Sequence, residues 1–228
     1  MTCISTAAKL DFSALNMSET RGQIITVGVT GASGALLAQK ALQLVAEDAR
    51  VAKIHLVVTE TGQRLFVEEL NIASGDLKQL PARLIGKPSQ KIEVISNKDV
   101  GASIASGSYE VDSMIVIPCS MGSLSAIANG SCDDLVSRAA DVMLKEGRKL
   151  VLCIRDTPFS RIHLENMIRA QANGAVIMPA VPSYYHHPNT IDDLVTQYVC
   201  RVLAQIGLAQ EQMYRWTGSH SEAKKAEA

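Results

Sequence analysis

The chain has 228 residues, of which 22 are basic and 23 acidic, so its formal net charge at pH 7 is −1. This balance excludes bulk binding to nucleic acid through a basic surface. No apolar run approaches the roughly 20 residues of a membrane-spanning helix, so no membrane role is predicted. Apolar residues make up 47% of the chain, enough for a substantial core. The five cysteines are widely spaced without a C-x-x-C pair, which is typical of reduced thiols in the cytoplasm.

The two ends of the chain predict little regular structure. Residues 1–22 are rich in Ser and Thr and lack the apolar core of a secretory signal, so we interpret them as a flexible extension. Residues 217–228 are polar and are interpreted as a flexible tail. No internal repeat or low-complexity segment divides the rest, so residues 23–216 are predicted to form one domain.

Between these ends, apolar runs rich in β-branched residues alternate with helix-like segments. In chain order the predicted elements are a strand at 24–29, a helix at 35–47, a strand at 53–58, a helix at 61–70, a loop at 71–90, strands at 91–95 and 112–117, helices at 124–128 and 133–146 with Asp133 near the cap, a strand at 149–154, a helix at 160–171, a strand at 174–178 and a helix at 191–206. The alternation predicts an α/β fold whose parallel sheet is covered on both faces. Ligands of such sheets bind beyond the carboxyl ends of the strands, so the residues that follow each strand should converge on one cleft.

The first predicted strand runs into residues 30–34, TGASG, and then into a helix. This arrangement aims backbone N–H groups and a positive helix end at an anion, and Ser33 can add a hydroxyl donor. The glycines at 28, 31 and 34 depart from the dinucleotide pattern G-x-G-x-x-G. The turn alone therefore predicts either a phosphate-bearing ligand or only a tight connection.

Hydroxyl side chains and one arginine follow the strands. The hydroxyls, which suit a phosphate, a ribityl chain or a flavin edge, belong to Ser33, Thr59, Ser106, Ser108, Ser120 and Ser123. Arg155 directly follows its strand, where it either binds a phosphate or flavin carbonyl or forms only a surface ion pair. Asp156 is either a proton-transfer carboxylate or a turn residue before a proline.

The last third of the chain offers further candidates. Tyr185, in the loop Y184-Y-H-H-P188, can donate its phenol to a ligand phosphate, whereas the adjacent histidines lack a third ligand for zinc. Arg201 on the final helix either faces solvent or reaches an anion. Arg138 and Lys145 are seven residues apart on one helix face, either solvated or reaching a neighbouring subunit's cleft. Trp216, the only tryptophan, is predicted to cover an apolar surface or an interface.

Several of these segments together resemble the UbiX family of flavin prenyltransferases, long described as aromatic-acid decarboxylases. The motifs that carry the resemblance, which extends from about residue 24 to 216, are VTGASGA at 29–35, ASGS at 105–108, PCSMGSLSAIANG at 118–130, RAADVMLKE at 138–146, PFSRIHLENM at 158–167 and YYHHP at 184–188. The resemblance implies a Rossmann-like (flavodoxin-like) three-layer fold with a mostly parallel sheet. It also implies a homo-oligomer, typically a dodecamer.

The resemblance further implies the reaction. Reduced FMN is the co-substrate, dimethylallyl phosphate is the prenyl donor, and no metal is required. The prenyl group bonds first to flavin N5 and then to C6, and the product, prenylated FMN, serves UbiD-type decarboxylases.

The site residues are carried over from the matching motifs. The FMN contacts implied in this way are Gly31, Ala32, Ser33, Thr59, Ser120, Met121, Gly122, Ser123 and Arg155. On the donor side they are Tyr185, Arg201 and Lys145 of a neighbouring subunit, to which we add Arg138 and Trp216. Ser33, Glu69, Asp156 and Lys145 are the expected catalytic residues, although the family usually has Glu where this chain has Asp156.

Three other functions compete with this interpretation. A flavin-dependent cysteine-peptide decarboxylase of related fold would carry a P-x-M-N-x-x-M-W segment, which the chain lacks. A short-chain NAD(P) dehydrogenase would have a tyrosine followed four residues later by lysine, and no tyrosine here is so placed. A non-catalytic flavin-binding protein is the third alternative.

Overall fold

A six-stranded parallel sheet forms the centre of the protein, seen in a computed structural model that describes residues 21–73 and 75–216. The strands are β1 Gln23–Val29, β2 Val51–Val58, β3 Ile92–Ser96, β4 Ser113–Cys119, β5 Lys149–Ile154 and β6 Val176–Ile177. Their order is β3-β2-β1-β4-β5-β6, and all neighbours are parallel. This is the strand order of doubly wound nucleotide-binding sheets, and it confirms the predicted α/β fold.

Seven α-helices cover both faces of the sheet in the part of the chain that the structure describes. They are α1 Ala35–Glu47, α2 Glu60–Leu70, α3 Leu80–Ile85, α4 Met121–Asn129, α5 Leu135–Lys145, α6 Arg161–Ala172 and α7 Ile191–Gln205. Helices α1, α2, α3 and α7 share one hydrophobic core with the sheet, and α4, α5 and α6 share the other. The three predicted layers are therefore confirmed. Among the described helices, none is both long and apolar enough to cross a bilayer.

The central strand β4 shows why apolar runs predict this sheet. Ile115 and Ile117 pack into the core under α1 and α7, whereas Met114 and Val116 pack into the core under α4 and α5. Because successive side chains point to opposite faces and both faces are covered, the strand is apolar at every position after Ser113.

Residues 71–90, predicted to be a loop, contain a 3-10 turn at Leu77–Gln79 and helix α3. The loop prediction is wrong over Leu80–Ile85, where Pro81 stands in the first turn of the helix, a position at which proline is well tolerated. Leu80 and Leu84, one turn apart, are fully buried in the core that α3 shares with α1. Gly86, with φ of 77°, ends the helix.

Two helix starts near the sheet edge also differ from prediction. Helix α4 begins at Met121 and not at Leu124, because the Ser120 side chain caps it by accepting from Ser123 N. The cap of α5 is Asp134 and not Asp133, since Asp134 Oδ1 accepts from Ser137 N at 2.8 Å. The first of these differences places the predicted flavin residues 121–123 in the first turn of a helix.

The predicted extension and tail lie outside the described residues, except for Arg21 and Gly22. The Arg21 guanidinium donates to both carboxylate oxygens of Asp112, at 3.2 and 3.1 Å. This contact fixes the chain directly before β1.

Candidate functional site

The crevice between β1 and β4 lies where the strand order reverses, which is where doubly wound sheets bind ligands. Thr30, fully buried directly after β1, joins its two sides. Its hydroxyl donates to Pro118 O at 2.9 Å and accepts from Ser120 N at 2.8 Å. Thr30 was not among the predicted site residues, because nothing in the local sequence indicates a contact 90 residues away.

The turn after β1 is held close to α2. A Cβ atom on Gly31 would lie 2.4 Å from Thr61 Oγ1 and 2.5 Å from Thr61 Cβ, so only glycine fits there. Ala32 is buried beneath the turn, whereas Ser33 is exposed at its tip. The turn therefore presents backbone and one hydroxyl to the crevice.

Glu69 reaches this turn from α2. Its carboxylate accepts hydrogen bonds from Gly34 N, at 3.0 Å, and from Ala35 N, at 2.7 Å. An anion at a helix N-terminus is favourable because of the helix dipole. The N–H groups that the sequence predicted to face a ligand anion therefore face the chain's own carboxylate at these two positions.

Three of the predicted flavin hydroxyls take part in helix capping. Thr59 caps α2 by accepting from Gly62 N at 3.0 Å. Ser120 accepts from Ser123 N at 3.2 Å and donates its hydroxyl to Ser123 Oγ at 3.1 Å. A hydroxyl group has a single hydrogen. The Ser120 hydrogen is used in the bond to Ser123, whereas the Ser123 hydrogen remains available for donation.

Arg155 follows β5, the strand next to β4, and its backbone N donates to Cys119 O at 3.2 Å. Its side chain is half-buried, and its buried Nε has no hydrogen-bond partner among the described residues. Such an unpaired buried donor is costly, so it points to a group that completes it. The neighbouring Asp156 is half-buried and accepts from Thr157 N at 2.8 Å, as its alternative interpretation as a turn residue requires.

The cysteines beside these residues are not nucleophiles. Cys119 and Cys153 lie at the ends of β4 and β5 and are fully buried. Burial raises the pKa of the Cys153 thiol to about 12, and it raises the pKa of Cys119 as well. Both thiols therefore stay protonated at neutral pH, and the thiolate is the reactive form.

A cavity of about 620 Å³ lies along the same edge of the sheet, beyond β6. Its lining residues are Ile177, Met178, Pro179, Val181, Ser183, Tyr185, Gln197, Tyr198, Arg201, Tyr214 and Trp216. Three of the predicted donor-side residues, Tyr185, Arg201 and Trp216, are thus brought together. The rings of Tyr185 and Trp216 are 5.5 Å apart between centroids.

The cavity adjoins the strand that carries Arg155. Met178 N donates to Leu152 O at 2.9 Å, and Ala180 N donates to Ile154 O at 2.7 Å. The wall that contains Met178 and Pro179 is therefore bonded to β5 immediately before Arg155. Burial raises the pKa of Tyr198, and its hydroxyl donates to Met178 O at 2.8 Å and fixes this wall to α7.

The two predicted basic residues of α5 lie elsewhere in this chain. Arg138 Nε donates to Ala105 O at 3.2 Å, and its guanidinium lies 3.4 Å from Asp141. Lys145 lies 3.6 Å from Glu146 and lines a separate hollow between α4, α5 and α6. Neither lines the cavity of its own chain.

The histidine pair has no metal-binding surroundings. Both ring nitrogens of His186 are buried without a hydrogen-bond partner within the described ranges. Over those same residues, no group of three or more His, Cys, Asp and Glu side chains could hold a metal ion.

The chain matches the family model described as Flavoprotein over residues 13–203. Fold, crevice and match together define a flavoprotein. The chain is 46% identical to flavin prenyltransferase UbiX of Halalkalibacterium halodurans over 194 residues, which cover 85% of this chain and 93% of that relative. The chain belongs to the UbiX family of flavin prenyltransferases, as the sequence motifs predicted.

Two solved structures agree with this assignment. A crystal structure of AnUbiX (PadA1) in complex with FMN and dimethylallyl pyrophosphate is 40% identical, with a TM-score of 0.78, covering 87% of this chain and all of that one. A dodecameric FMN-dependent UbiX-like decarboxylase from Escherichia coli O157:H7 is 42% identical, with a TM-score of 0.77, covering 86% of this chain and all of that one. A cysteine decarboxylase, TvaF, is only 14% identical and shares the fold alone.

Proposed function

We propose that the chain is a flavin prenyltransferase that joins the dimethylallyl group of dimethylallyl phosphate to N5 and C6 of reduced FMN. The observation that carries the proposal is the position of the unpaired Arg155 Nε beside a cavity that gathers Arg201 and Tyr185. The sheet edge around Arg155 suits a flavin, and the adjoining cavity with Arg201 and Tyr185 suits an allylic phosphate. The UbiX relatives support the same activity.

The described residues fit FMN. Glycine at position 31 lets the turn pack against Thr61 of α2, the turn exposes the Ser33 hydroxyl, and Ser123 has a hydroxyl hydrogen to donate. Arg155 supplies a guanidinium whose Nε is unpaired. We assign Gly31, Ala32, Ser33, Thr59, Ser120, Met121, Gly122, Ser123 and Arg155 to FMN binding. When bound, reduced FMN supplies the N5 and C6 atoms that accept the prenyl group.

The donor-side residues stabilise the departing phosphate. As the allylic C–O bond breaks, negative charge builds on the phosphate, and fixed donors aimed at it lower the barrier. Arg201 and Tyr185 line the cavity from α7 and from the loop before it. We assign Lys145 and Arg138 of a neighbouring copy to the same phosphate, which requires a homo-oligomer such as the dodecamer of the Escherichia coli relative.

The remaining carboxylates and Ser33 serve proton transfer and positioning. Asp156 follows Arg155 directly and is the candidate for accepting the proton released when the second bond forms. Ser33, exposed at the tip of the first turn, would relay it. Glu69 holds that turn through Gly34 N and Ala35 N, so we assign it a positioning part.

The product's recipient and the compartment are further parts of the proposal. Prenylated FMN would be passed to a UbiD-type decarboxylase. The four cysteines within the described ranges are free thiols, which favours the reducing cytoplasm.

The decisive experiment incubates the protein with reduced FMN and dimethylallyl phosphate under anaerobic conditions and analyses the flavin by mass spectrometry. We expect a mass gain of one prenyl group, and oxidised FMN serves as the control without reaction. A bound but unaltered flavin would favour the non-catalytic binding protein instead. Asp156→Asn should slow formation of the second bond more than it weakens phosphate binding, and equal losses would contradict its assigned part.

A further inference from the structure

The segment 211–216, which we name the C-terminal strap, forms one wall of the cavity through Tyr214 and Trp216. The side chain of Gln197 bonds it to α7. Tyr214 N donates to Gln197 Oε1 at 2.9 Å, and Gln197 Nε2 donates to Tyr214 O at 3.3 Å. The Gln197 amide thus accepts a hydrogen bond from, and donates one to, the backbone of the same residue, Tyr214.

Gln197 is only 6% exposed, so its amide has little water to bind in place of the strap. A buried amide is costly when it is unpaired, which makes the paired position of the strap the favourable one. Arg201 lies one helical turn further along α7, and both side chains line the cavity. The strap is therefore fixed beside the arginine that we assign to the donor phosphate.

Two ring contacts connect the strap to the loop that precedes α7. Trp216 lies 5.5 Å from Tyr185 and Tyr214 lies 6.3 Å from His186, both measured between ring centroids. Aromatic pairs at such distances stabilise the arrangement that brings them together. Consecutive loop residues thus meet alternate strap residues, and the position of Tyr185 depends on the position of the strap.

We propose that Gln197 is a positioning residue that holds the strap against α7 and thereby keeps Trp216 and Tyr185 together at the mouth of the prenyl-donor cavity. The inference rests on the proposed function for its effect on the donor. The attachment of the strap itself can be tested without any reaction.

The strap carries the only tryptophan of the chain, so tryptophan fluorescence reports its motion. Gln197→Met removes both hydrogen bonds at similar side-chain length. We expect a larger nanosecond component in the anisotropy decay of Trp216, because a released segment moves on that timescale. The KM for dimethylallyl phosphate should rise about tenfold, with kcat and FMN affinity retained.

Gln205→Met is the matched control, since Gln205 is exposed on the same helix. Gln197→Glu keeps the acceptor for Tyr214 N and loses the donor, so it should give intermediate values; it decides the question if Gln197→Met does not fold. Anisotropy and KM equal to those of the Gln205→Met control would overturn the proposal, as would wild-type values for Gln197→Glu. Absence of prenylation in the wild type would refute the proposed function and leave the anisotropy test of the strap intact.

Discussion

Replacing Arg155 by methionine should separate ligand binding from folding. Arg155 Nε is buried and has no hydrogen-bond partner among the described residues, whereas its backbone N is bonded to Cys119 O. The substitution keeps the backbone contact and most of the aliphatic packing. It removes only the polar end that we assign to FMN.

The two effects have opposite signs. An unpaired buried donor costs about 1–3 kcal/mol, so its removal should leave the free energy of unfolding of the ligand-free protein unchanged or raised by about 1 kcal/mol. A hydrogen bond from a charged donor to the ligand contributes about 1.5–3 kcal/mol. Since 1.4 kcal/mol is a factor of ten, the Kd for FMN should rise about 10- to 100-fold.

Urea unfolding of the ligand-free protein and FMN titration by flavin fluorescence measure the two quantities. Arg161→Met is the matched control, because the Arg161 side chain is 91% exposed and pairs only with Glu165 one turn away. That exposed pair should contribute less than about 1 kcal/mol. A variant of Arg155 that is clearly less stable without ligand, yet binds FMN as the wild type does, would refute the reasoning.

Three further predictions concern the fold and the site. Hydrogen bonds from Arg50 lower the pKa of Asp48, whose side chain is 6% exposed, to about 2. The Asp48 carboxylate should therefore contribute about 2 kcal/mol to the free energy of unfolding above pH 4, and this contribution should be lost as the pH falls towards 2. In urea unfolding, Asp48→Asn should show that deficit at pH 7 but not near pH 2, whereas Glu47→Gln, with an exposed partner, should change little. Thr30→Val should lower the free energy of unfolding by about 1–3 kcal/mol, because Ser120 N loses the Thr30 hydroxyl as its acceptor, whereas Pro118 O keeps the backbone N–H of Thr30 at 3.2 Å; an unchanged free energy of unfolding would contradict it. Gly31→Ala should weaken FMN binding in titration, and adding Thr61→Gly should restore it, since the clash is with that side chain; failure of the rescue would place the cause elsewhere.

Elements set by long apolar runs were predicted from the sequence almost to the residue. Helix α1 and strand β5 have the predicted bounds, because α1 buries one face at helical spacing and β5 is buried at every position after Lys149. Helix α3 was missed because only two of its leucines carry the helical period and a proline stands at its start. The local sequence pattern was thus sufficient to predict an element where many residues carry its period, and it failed for the short helix α3.

The grouping of some candidate residues was predictable from the sequence, but their connections were not. The sequence analysis assigned Tyr185, Arg201 and Trp216 to the donor side, and the structure brings them to one cavity, whereas their functional roles stay predictions. Contacts such as that between Thr30 and Ser120 or between Gln197 and Tyr214 join positions that have no sequence pattern in common. They depend on the strand order and on the path of the strap, which only the folded chain defines.

The hydroxyls at the sheet edge explain how such a site can be rigid before a ligand arrives. Thr59 and Ser120 end their strands and cap the helices that follow, so their positions are fixed by the folding of α2 and α4. What remains for a ligand is the set of groups that folding leaves unpaired, above all the Arg155 Nε. Binding then adds contacts without breaking the caps, and little reorganisation opposes it.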